Sequence, residues 1–155
     1  MEVTLLDSFA ALILALILIA AVVGVHFQAL RILSTWQQEW RASGHAKILL
    51  IIFGLIAAHV LEAAIFAVGF GIAVRGLKIG AFTSSRVMDF RDFFYFSLET
   101  YTTQGVGDIY AIGALRLIAS LEPVAGLILI GWSTSFTFLM MGRDWIERPT
   151  RQKRP

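Results

Sequence analysis

Uncharged stretches long enough to cross a membrane alternate with short charged segments along the 155-residue chain. Residues 8–30, 48–74 and 117–142 contain no charged side chain except Glu62 in the second stretch and Glu122 in the third. Each stretch exceeds the roughly 20 residues that a helix needs to span a bilayer. Lipid forces spanning segments to be helical because it offers no partner to unpaired backbone groups. The pattern predicts an all-α membrane protein. We place its spanning helices near residues 6–31, 48–74 and 113–141.

The first stretch has a second interpretation, a cleaved signal peptide. It opens on Met-Glu-Val-Thr, without a basic segment, and its apolar core is longer than the roughly 7–15 residues of a signal peptide. A retained helix is the better interpretation. Residues 30–47, which follow, combine Trp36 and Trp40 with three Lys or Arg residues, a mixture typical of membrane surfaces. They predict a short interfacial helix or loop.

Composition agrees with a membrane protein and argues against several other classes. Hydrophobic residues make up 57% of the chain and charged residues 15%, and the mean hydropathy is +0.75, far from soluble averages. The net charge of +2 is small and the basic residues are scattered, so we expect contacts with membrane lipids and none with nucleic acid. The chain has no cysteine, which excludes disulfides. No nucleophile–base pair, metal triad or phosphate-binding loop indicates an enzyme or a small-molecule substrate.

Basic residues predict the orientation. Lys and Arg number three in residues 31–47 and five in residues 142–155, whereas the amino-terminal segment has none and carries Glu2 and Asp7. Because basic flanks favour the cytoplasmic side, we expect a multi-pass protein of the cell membrane with an external amino terminus and a cytoplasmic carboxyl terminus. Residues 75–112 would then be external, although they contain four basic side chains.

Residues 89–110, DFRDFFYFSLETYTTQGVGDIY, predict a helix that enters the membrane without crossing it. Asp89 and Asp92 are helix-starting residues, and the apolar run after them allows two to three turns. Glycine-containing backbone at membrane depth is tolerated only where protein buries it or a water-filled cavity receives it. The carboxyl end of such a helix carries about half a negative charge, which would stabilise cations. An ordinary glycine-rich turn is the alternative.

Two motifs in this region resemble those of tetrameric potassium channels. Residues 97–108, SLETYTTQGVGD, follow the pore-helix and filter pattern S-x-E-T-x-T-T-V-G-Y-G-D of several bacterial members. Residues 115–138, LRLIASLEPVAGLILIGWSTSFTF, are similar to the inner helix of bacterial two-helix and inward-rectifier-like channels. The resemblance covers residues 47–142 and implies an outer helix at 47–74, a pore helix at 91–101, a filter at 102–108 and an inner helix at 112–142. It leaves an extra amino-terminal helix and loop, 1–46, and a basic cytoplasmic tail, 143–155.

This resemblance implies a homotetramer around a file of potassium ions, or sodium ions if the filter is less selective. The Thr103 hydroxyl and the carbonyls of Thr103, Gln104, Gly105 and Val106 would line the ion path, and Gly107 would complete the filter. To aim successive carbonyls at one axis, the backbone must alternate into positive φ, which glycine accepts without penalty. Gly105 and Gly107 occupy such alternate positions.

Gln104 and Val106 depart from the family pattern, which has valine and usually tyrosine there. Side chains at these positions face away from the ion in that family, so the changes alter the scaffold of the filter. Val106 cannot make the hydrogen bond of a tyrosine. Gln104 would bring in a buried amide bonded to Glu99, Thr100 or water, because an unpaired buried polar group costs about 1–3 kcal/mol. We therefore expect weaker discrimination between potassium and sodium.

By the same resemblance, Glu99, Thr102, Asp108 and Glu122 support the filter. Glu99 and Asp108 would form a carboxylate pair sharing a proton, unless Glu99 merely caps or packs. Glu122 either faces the cavity as a charge that attracts cations or turns toward the pore helix, and its register favours the pore helix. Pro123 predicts a bend, and Gly126 resembles a hinge.

His59 and Glu62 share one face of the second helix because they are three residues apart. A metal or proton site would need a third ligand, which that helix lacks, so we expect a hydrogen-bonded pair at a helix interface. Helical spacing from Gly126 also predicts a stripe on the third helix. The stripe consists of Leu127, Ile130, Thr134, Phe138 and Met141. It would be a packing face in an isolated helix and the pore wall in a channel, with Phe138 or Met141 narrowing the cytoplasmic mouth.

The sequence thus predicts a tetrameric cation channel that conducts potassium. A non-selective cation channel and a non-conducting modulatory subunit with a collapsed filter are the alternatives.

Overall fold

The computed structural model describes residues 4–39, 43–83 and 88–146, with side chains through residue 142. Its elements follow in chain order. They are α1 (Leu5–Glu39), α2 (Gly44–Gly71) with a π-helical extension (Ile72–Leu77), β1 (Gly80–Phe82), α3 (Phe90–Tyr101), β2 (Ala111–Gly113) and α4 (Leu115–Ile146). In this described part, α1, α2 with its extension, and α4 are long and apolar enough to cross a membrane. The chain is an all-α membrane protein, as predicted.

Helix α1 is longer than its hydropathy indicated. It continues to Glu39, past the predicted end at residue 31, because residues 25–39 contain no Gly or Pro to interrupt it. The prediction of a separate interfacial segment over 30–47 is therefore wrong for residues 30–39. Trp40 and Arg41 lie outside the described residues.

Helix α2 begins within the same predicted segment. The Ser43 hydroxyl accepts a hydrogen bond from the Ala46 N–H at 3.4 Å and caps the helix. Only residues 40–43 therefore separate α1 from α2.

At the other end of α2, the π-helical turns carry the helix beyond the predicted end at residue 74, and the chain leaves them at Lys78 with φ of 56°.

Helix α1 packs along α2 and α4 through a single stripe of buried residues at three- or four-residue intervals. The stripe consists of Ala11, Ala15, Leu18, Val22, His26, Leu30, Leu33 and Gln37. Leu18 and Leu33 lie against Gly69 and Gly54 of α2, where an added Cβ would come within 2.3 and 2.6 Å of the leucine side chains. These glycines let the two helices approach closely, so α1 shares the core of the molecule.

A two-stranded antiparallel ladder closes the connection between α2 and α4. Gly80 pairs with Gly113 and Phe82 with Ala111, and a Cβ at residue 80 would meet the Ile112 carbonyl at 2.5 Å. The sequence interpretation missed this ladder. Because it joins the two ends of the connection, it holds α3 and the glycine-containing segment between the spanning helices. The predicted tail 143–155 continues α4 as far as residue 146, and the rest lies outside the described residues.

Candidate ion pathway

Helix α3 is the predicted short helix, within one residue of its expected bounds. Asp89 Oδ1 accepts from the Arg91 and Asp92 N–H groups at 2.8 and 3.3 Å, and Asp92 Oδ2 accepts from the Asp89 N–H at 2.9 Å. This reciprocal capping box starts the helix. The helix ends at Tyr101, which is fully buried, so the residues after it start from a fixed point.

The backbone after α3 alternates between ordinary and left-handed conformations. The φ angles of Thr103, Gly105 and Gly107 are 61°, 56° and 82°, and no other described residue between 79 and 112 has positive φ. The conformations predicted for Gly105 and Gly107 are thus confirmed. Thr103 pays a cost that the glycines do not, since a left-handed conformation disfavours a residue with a side chain by about 1–2 kcal/mol.

Glu99 holds this segment from behind. Its backbone carbonyl accepts from the Gln104 N–H at 2.8 Å, and its carboxylate Oε2 accepts from the Val106 N–H at 3.2 Å. Burial raises the pKa of the Glu99 carboxyl, the Val106 N–H offsets part of this rise, and the charge of Asp108 adds to it. Within the described residues no hydrogen bond joins the two carboxyl groups, so the sharing of a proton between Glu99 and Asp108 stays a prediction.

The predicted buried amide at Gln104 is not found in the single subunit. The Gln104 side chain is exposed and has no hydrogen bond to any residue that the structure describes, and Val106 is 59% exposed. Residues 102–106 protrude from their own chain beyond the end of α3, so no element of the same chain covers the two side chains. Thr102 is satisfied locally, because its hydroxyl donates to the Leu98 carbonyl at 2.7 Å.

Glu122 faces α3, as its register predicted. The Ser97 hydroxyl lies 2.7 Å from the Ala63 carbonyl and 2.5 Å from Glu122 Oε1. One hydroxyl hydrogen cannot serve both oxygens, so both contacts are satisfied when Ser97 donates to Ala63 and a protonated Glu122 donates to Ser97. The side chain is fully buried and its Oε2 has no partner within the described residues, which also suits the neutral acid.

Gly126 has a packing role that the sequence interpretation did not predict. A Cβ at this position would lie 2.2 Å from the Tyr101 carbonyl oxygen, so α4 passes directly against the end of α3. Pro123 lies inside α4, which runs without interruption from Leu115 to Ile146. Whether Pro123 and Gly126 act as a hinge stays a prediction.

The predicted stripe on α4 is largely uncovered in the single subunit. Leu127 is 58% and Phe138 76% exposed, and Thr134 is also exposed. Ile130, Thr134, Phe138 and Met141 line a groove together with residues of α2. The stripe is available to face either an ion pathway or another chain.

The predicted pair of His59 and Glu62 belongs to a larger buried cluster. His59 Nδ1 lies 3.1 Å from Glu62 Oε2, which confirms the pair. Helix α1 adds His26, whose Nδ1 lies 2.9 Å from Glu62 Oε1. From α3, Tyr101 donates to Glu62 Oε2 at 2.5 Å and lies 2.9 Å from His59 Nδ1. From α4, Ser133 Oγ lies 3.0 Å from His59 Nε2 and 3.4 Å from His26 Nε2.

The sequence interpretation missed His26 because it sought a third ligand within one helix. The donor atoms of His26, His59 and Glu62 lie within 4.8 Å of one another. The available signal was that His26 is the one titratable side chain in residues 8–30. In the structure it lies on the stripe that α1 buries.

A short helix and a glycine-containing segment lie between helices long enough to cross a membrane, and this arrangement is that of a multi-pass membrane protein. Comparison with protein families names the class: residues 48–143 match the family model described as "Ion channel". This match covers more than half of the chain, and the chain belongs to that ion channel family. All of α1 lies outside the match. No curated protein and no solved structure matches the chain significantly.

Proposed function

We propose that the chain is one of four identical subunits of a cation channel that conducts potassium through residues 103–107. One observation carries the proposal: positive φ recurs at Thr103, Gly105 and Gly107, directly after the carboxyl end of α3. An alternating backbone of this kind can turn successive carbonyl groups toward one side. In a membrane, such a row of oxygens can replace the hydration shell of a cation.

The electrostatics of the segment favour a cation. The carboxyl end of α3 supplies about half a negative charge, and residues 102–106 are exposed in the single subunit, so they are free to face an axis. Each chain would contribute the Thr103 hydroxyl and the carbonyls of residues 103–106. One chain supplies only a quarter of a complete ring, which is why the proposal requires four copies.

Gln104 and Val106 are the reason for proposing weaker discrimination between potassium and sodium. Within the subunit, the Glu99 carboxylate braces this segment by accepting from the Val106 N–H. Selectivity depends on how firmly the oxygens are held, whether cavity size or ligand field dominates. A loosely held filter admits sodium more readily.

The distribution of basic residues supports an external amino terminus and a cytoplasmic carboxyl terminus in the cell membrane. In that orientation α3 and the filter segment belong to the outer half of the channel. The α4 stripe from Leu127 to Met141 would line the path toward the cytoplasm, with Phe138 or Met141 as its narrowest point.

Ion flux through liposomes that contain only the purified protein tests the proposal. We expect potassium flux that exceeds sodium flux, measured as separate tracer uptakes against protein-free liposomes. Equal fluxes would identify a non-selective cation channel. Absence of flux in assembled protein would overturn the proposal in favour of a non-conducting subunit.

A further inference from the structure

A ring of polar contacts joins α1, α2, α3 and α4 immediately before residues 102–107. His26 from α1 contacts Glu62 from α2, Glu62 accepts from Tyr101 of α3, Tyr101 contacts His59 of α2, and Ser133 of α4 lies between the two histidines. His26 and Glu62 are fully buried. The positions of the hydrogens in this ring follow from the donors that each group possesses.

One assignment starts with Ser133 donating its single hydrogen to His59 Nε2. His59 Nδ1–H then donates to Tyr101, and Tyr101 donates to Glu62, as its geometry indicates. For the 3.4 Å contact with Ser133 to hold a hydrogen as well, His26 has to donate Nε2–H to Ser133. A neutral imidazole has one donor and one acceptor, so a neutral His26 would present a bare Nδ1 to a carboxylate oxygen 2.9 Å away.

The opposite assignment fails at another point. If Ser133 donates to His26 Nε2, His59 must donate Nε2–H to Ser133, and its Nδ1 is bare. Tyr101 has one hydrogen for both His59 Nδ1 and Glu62 Oε2, so one of these contacts lacks a hydrogen. In a third arrangement Ser133 donates to His59 and the single N–H of His26 donates to Glu62, which satisfies every shorter contact in the ring and leaves the buried His26 Nε2 without a hydrogen 3.4 Å from Ser133. With two neutral imidazoles and a carboxylate, one contact of the ring therefore always lacks a hydrogen, which is unfavourable in a buried site.

We propose that His26, His59 and Glu62 form a buried proton-binding site that holds one proton beyond two neutral imidazoles and a carboxylate at neutral pH. With that proton on His26 Nδ1, every contact in the ring has one donor and one acceptor. The imidazolium and the carboxylate sum to zero charge, which suits the membrane interior. The Trp132 ring, with its centroid 5.4 Å from that of His26, adds a favourable cation–π contribution.

The groups around the site contain no competing cation within the described residues. The titratable groups that face it are His26 from α1, His59 and Glu62 from α2, and Tyr101 from α3. Helix α4 contributes the neutral Ser133 and Trp132, and its Glu122 interacts electrostatically with Tyr101. The His59 side chain is 19% exposed and opens into the groove that Thr134 and Phe138 also line, which provides a route for protons.

The site is placed to act on ion flux through Tyr101. A second proton, on His59, would raise the net charge of the cluster from zero to one positive charge beside the last residue of α3. That charge opposes the negative end of the helix that faces the filter segment, so cation flux should fall in acid. This coupling rests on the proposed function, whereas the proton-binding site itself does not.

Nuclear magnetic resonance of protein labelled with nitrogen-15 at histidine tests the site independently of conduction. The chain has three histidines, and the exposed His45 serves as an internal reference. At pH 7.5, above the usual histidine pKa of about 6.5, we expect one of His26 and His59 to be an imidazolium. Glu62→Gln should abolish the imidazolium signal.

Two neutral buried imidazoles at pH 7.5 would overturn the proton-binding site. Stoichiometric zinc in the purified protein, with both rings shifted as metal ligands, would also overturn it, because the donors would then hold a metal instead of a proton.

Flux in liposomes at pH 8 and pH 5 tests the coupling. We expect native flux to fall by about fivefold or more in acid, the lower end of typical coupling between two sites. His26→Gln should flatten this response, and His45→Gln should retain it. Flux independent of pH despite a histidine imidazolium would overturn the coupling alone. Absence of flux at both pH values would contradict the channel function and leave the resonance result standing.

Discussion

Gln104 and Val106 stand on the exposed side of the segment that Glu99 supports, and substituting them tests the selectivity proposal. The double change Gln104→Val with Val106→Tyr should raise the potassium-to-sodium permeability ratio, because a tyrosine hydroxyl can make a bond that valine cannot. A hydrogen bond contributes about 0.5–1.5 kcal/mol, and about 1.4 kcal/mol corresponds to tenfold. Reversal potentials under bi-ionic conditions measure the ratio.

Each single change serves as a control for the pair. If the native channel is already strongly selective and the double change weakens it, Gln104 braces the filter in the assembled channel and the proposed loosening is wrong.

Gly105 requires a backbone conformation that alanine disfavours, although space surrounds it. Its φ is 56° and no atom lies within 4 Å of an added Cβ, so Gly105→Ala should strain the filter by about 1–2 kcal/mol per subunit and abolish selective flux while the protein still assembles. Tracer flux and mass in detergent measure the two effects. Gly24→Ala is the matched control, because it too has open space but no positive φ. Unchanged permeation in Gly105→Ala would place the ion path elsewhere.

The contacts of Glu122 indicate a neutral acid, and a nearly isosteric substitution tests this protonation state. Glu122→Gln should alter the free energy of unfolding by less than about 1 kcal/mol, because the amide N–H can donate to Ser97 as the acid does. Glu122→Ala, which removes the donor and leaves a cavity, should cost more. Chemical denaturation in detergent compares them. A Gln variant as unstable as the Ala variant would indicate an ionised carboxylate in the native protein.

Helices α3 and α4 meet at Gly126, where their packing leaves no room for an added side chain. Gly126→Ala would drive a Cβ to within 2.2 Å of the Tyr101 carbonyl, and overpacking of this kind costs about 1–3 kcal/mol. Gly131→Ala in the same helix meets nothing within 4 Å and should be neutral or stabilising, since alanine is the better helix former. Thermal unfolding of the two variants should separate them clearly. Equal stability would mean that α4 does not contact α3 at Gly126.

A single copy of the whole molecule cannot form the proposed ion path. Residues 102–106 and most of the α4 stripe are uncovered, and one chain provides a quarter of the proposed ring of oxygens, so the working unit should contain four chains around an axis. Native mass measurement in detergent should give a tetramer. A stable monomer or dimer that still conducts in liposomes would contradict the assembly. Protein-free liposomes are the control for flux.

The sequence by itself determined the membrane class, the three spanning segments, the short helix at 90–101 and the backbone conformations of Gly105 and Gly107. Each depends on local chemistry: hydropathy over about 20 residues, a capping box between Asp89 and Asp92, and the freedom of glycine. Only the tertiary structure decided which helix faces meet. It brought His26 to Glu62, 36 residues away, and Ser133 to His26 and His59. It also placed Gly126 against Tyr101. Hydropathy could not decide this, because a membrane helix is apolar on its lipid-facing and protein-facing sides alike, and only close packing between helices selects the partners.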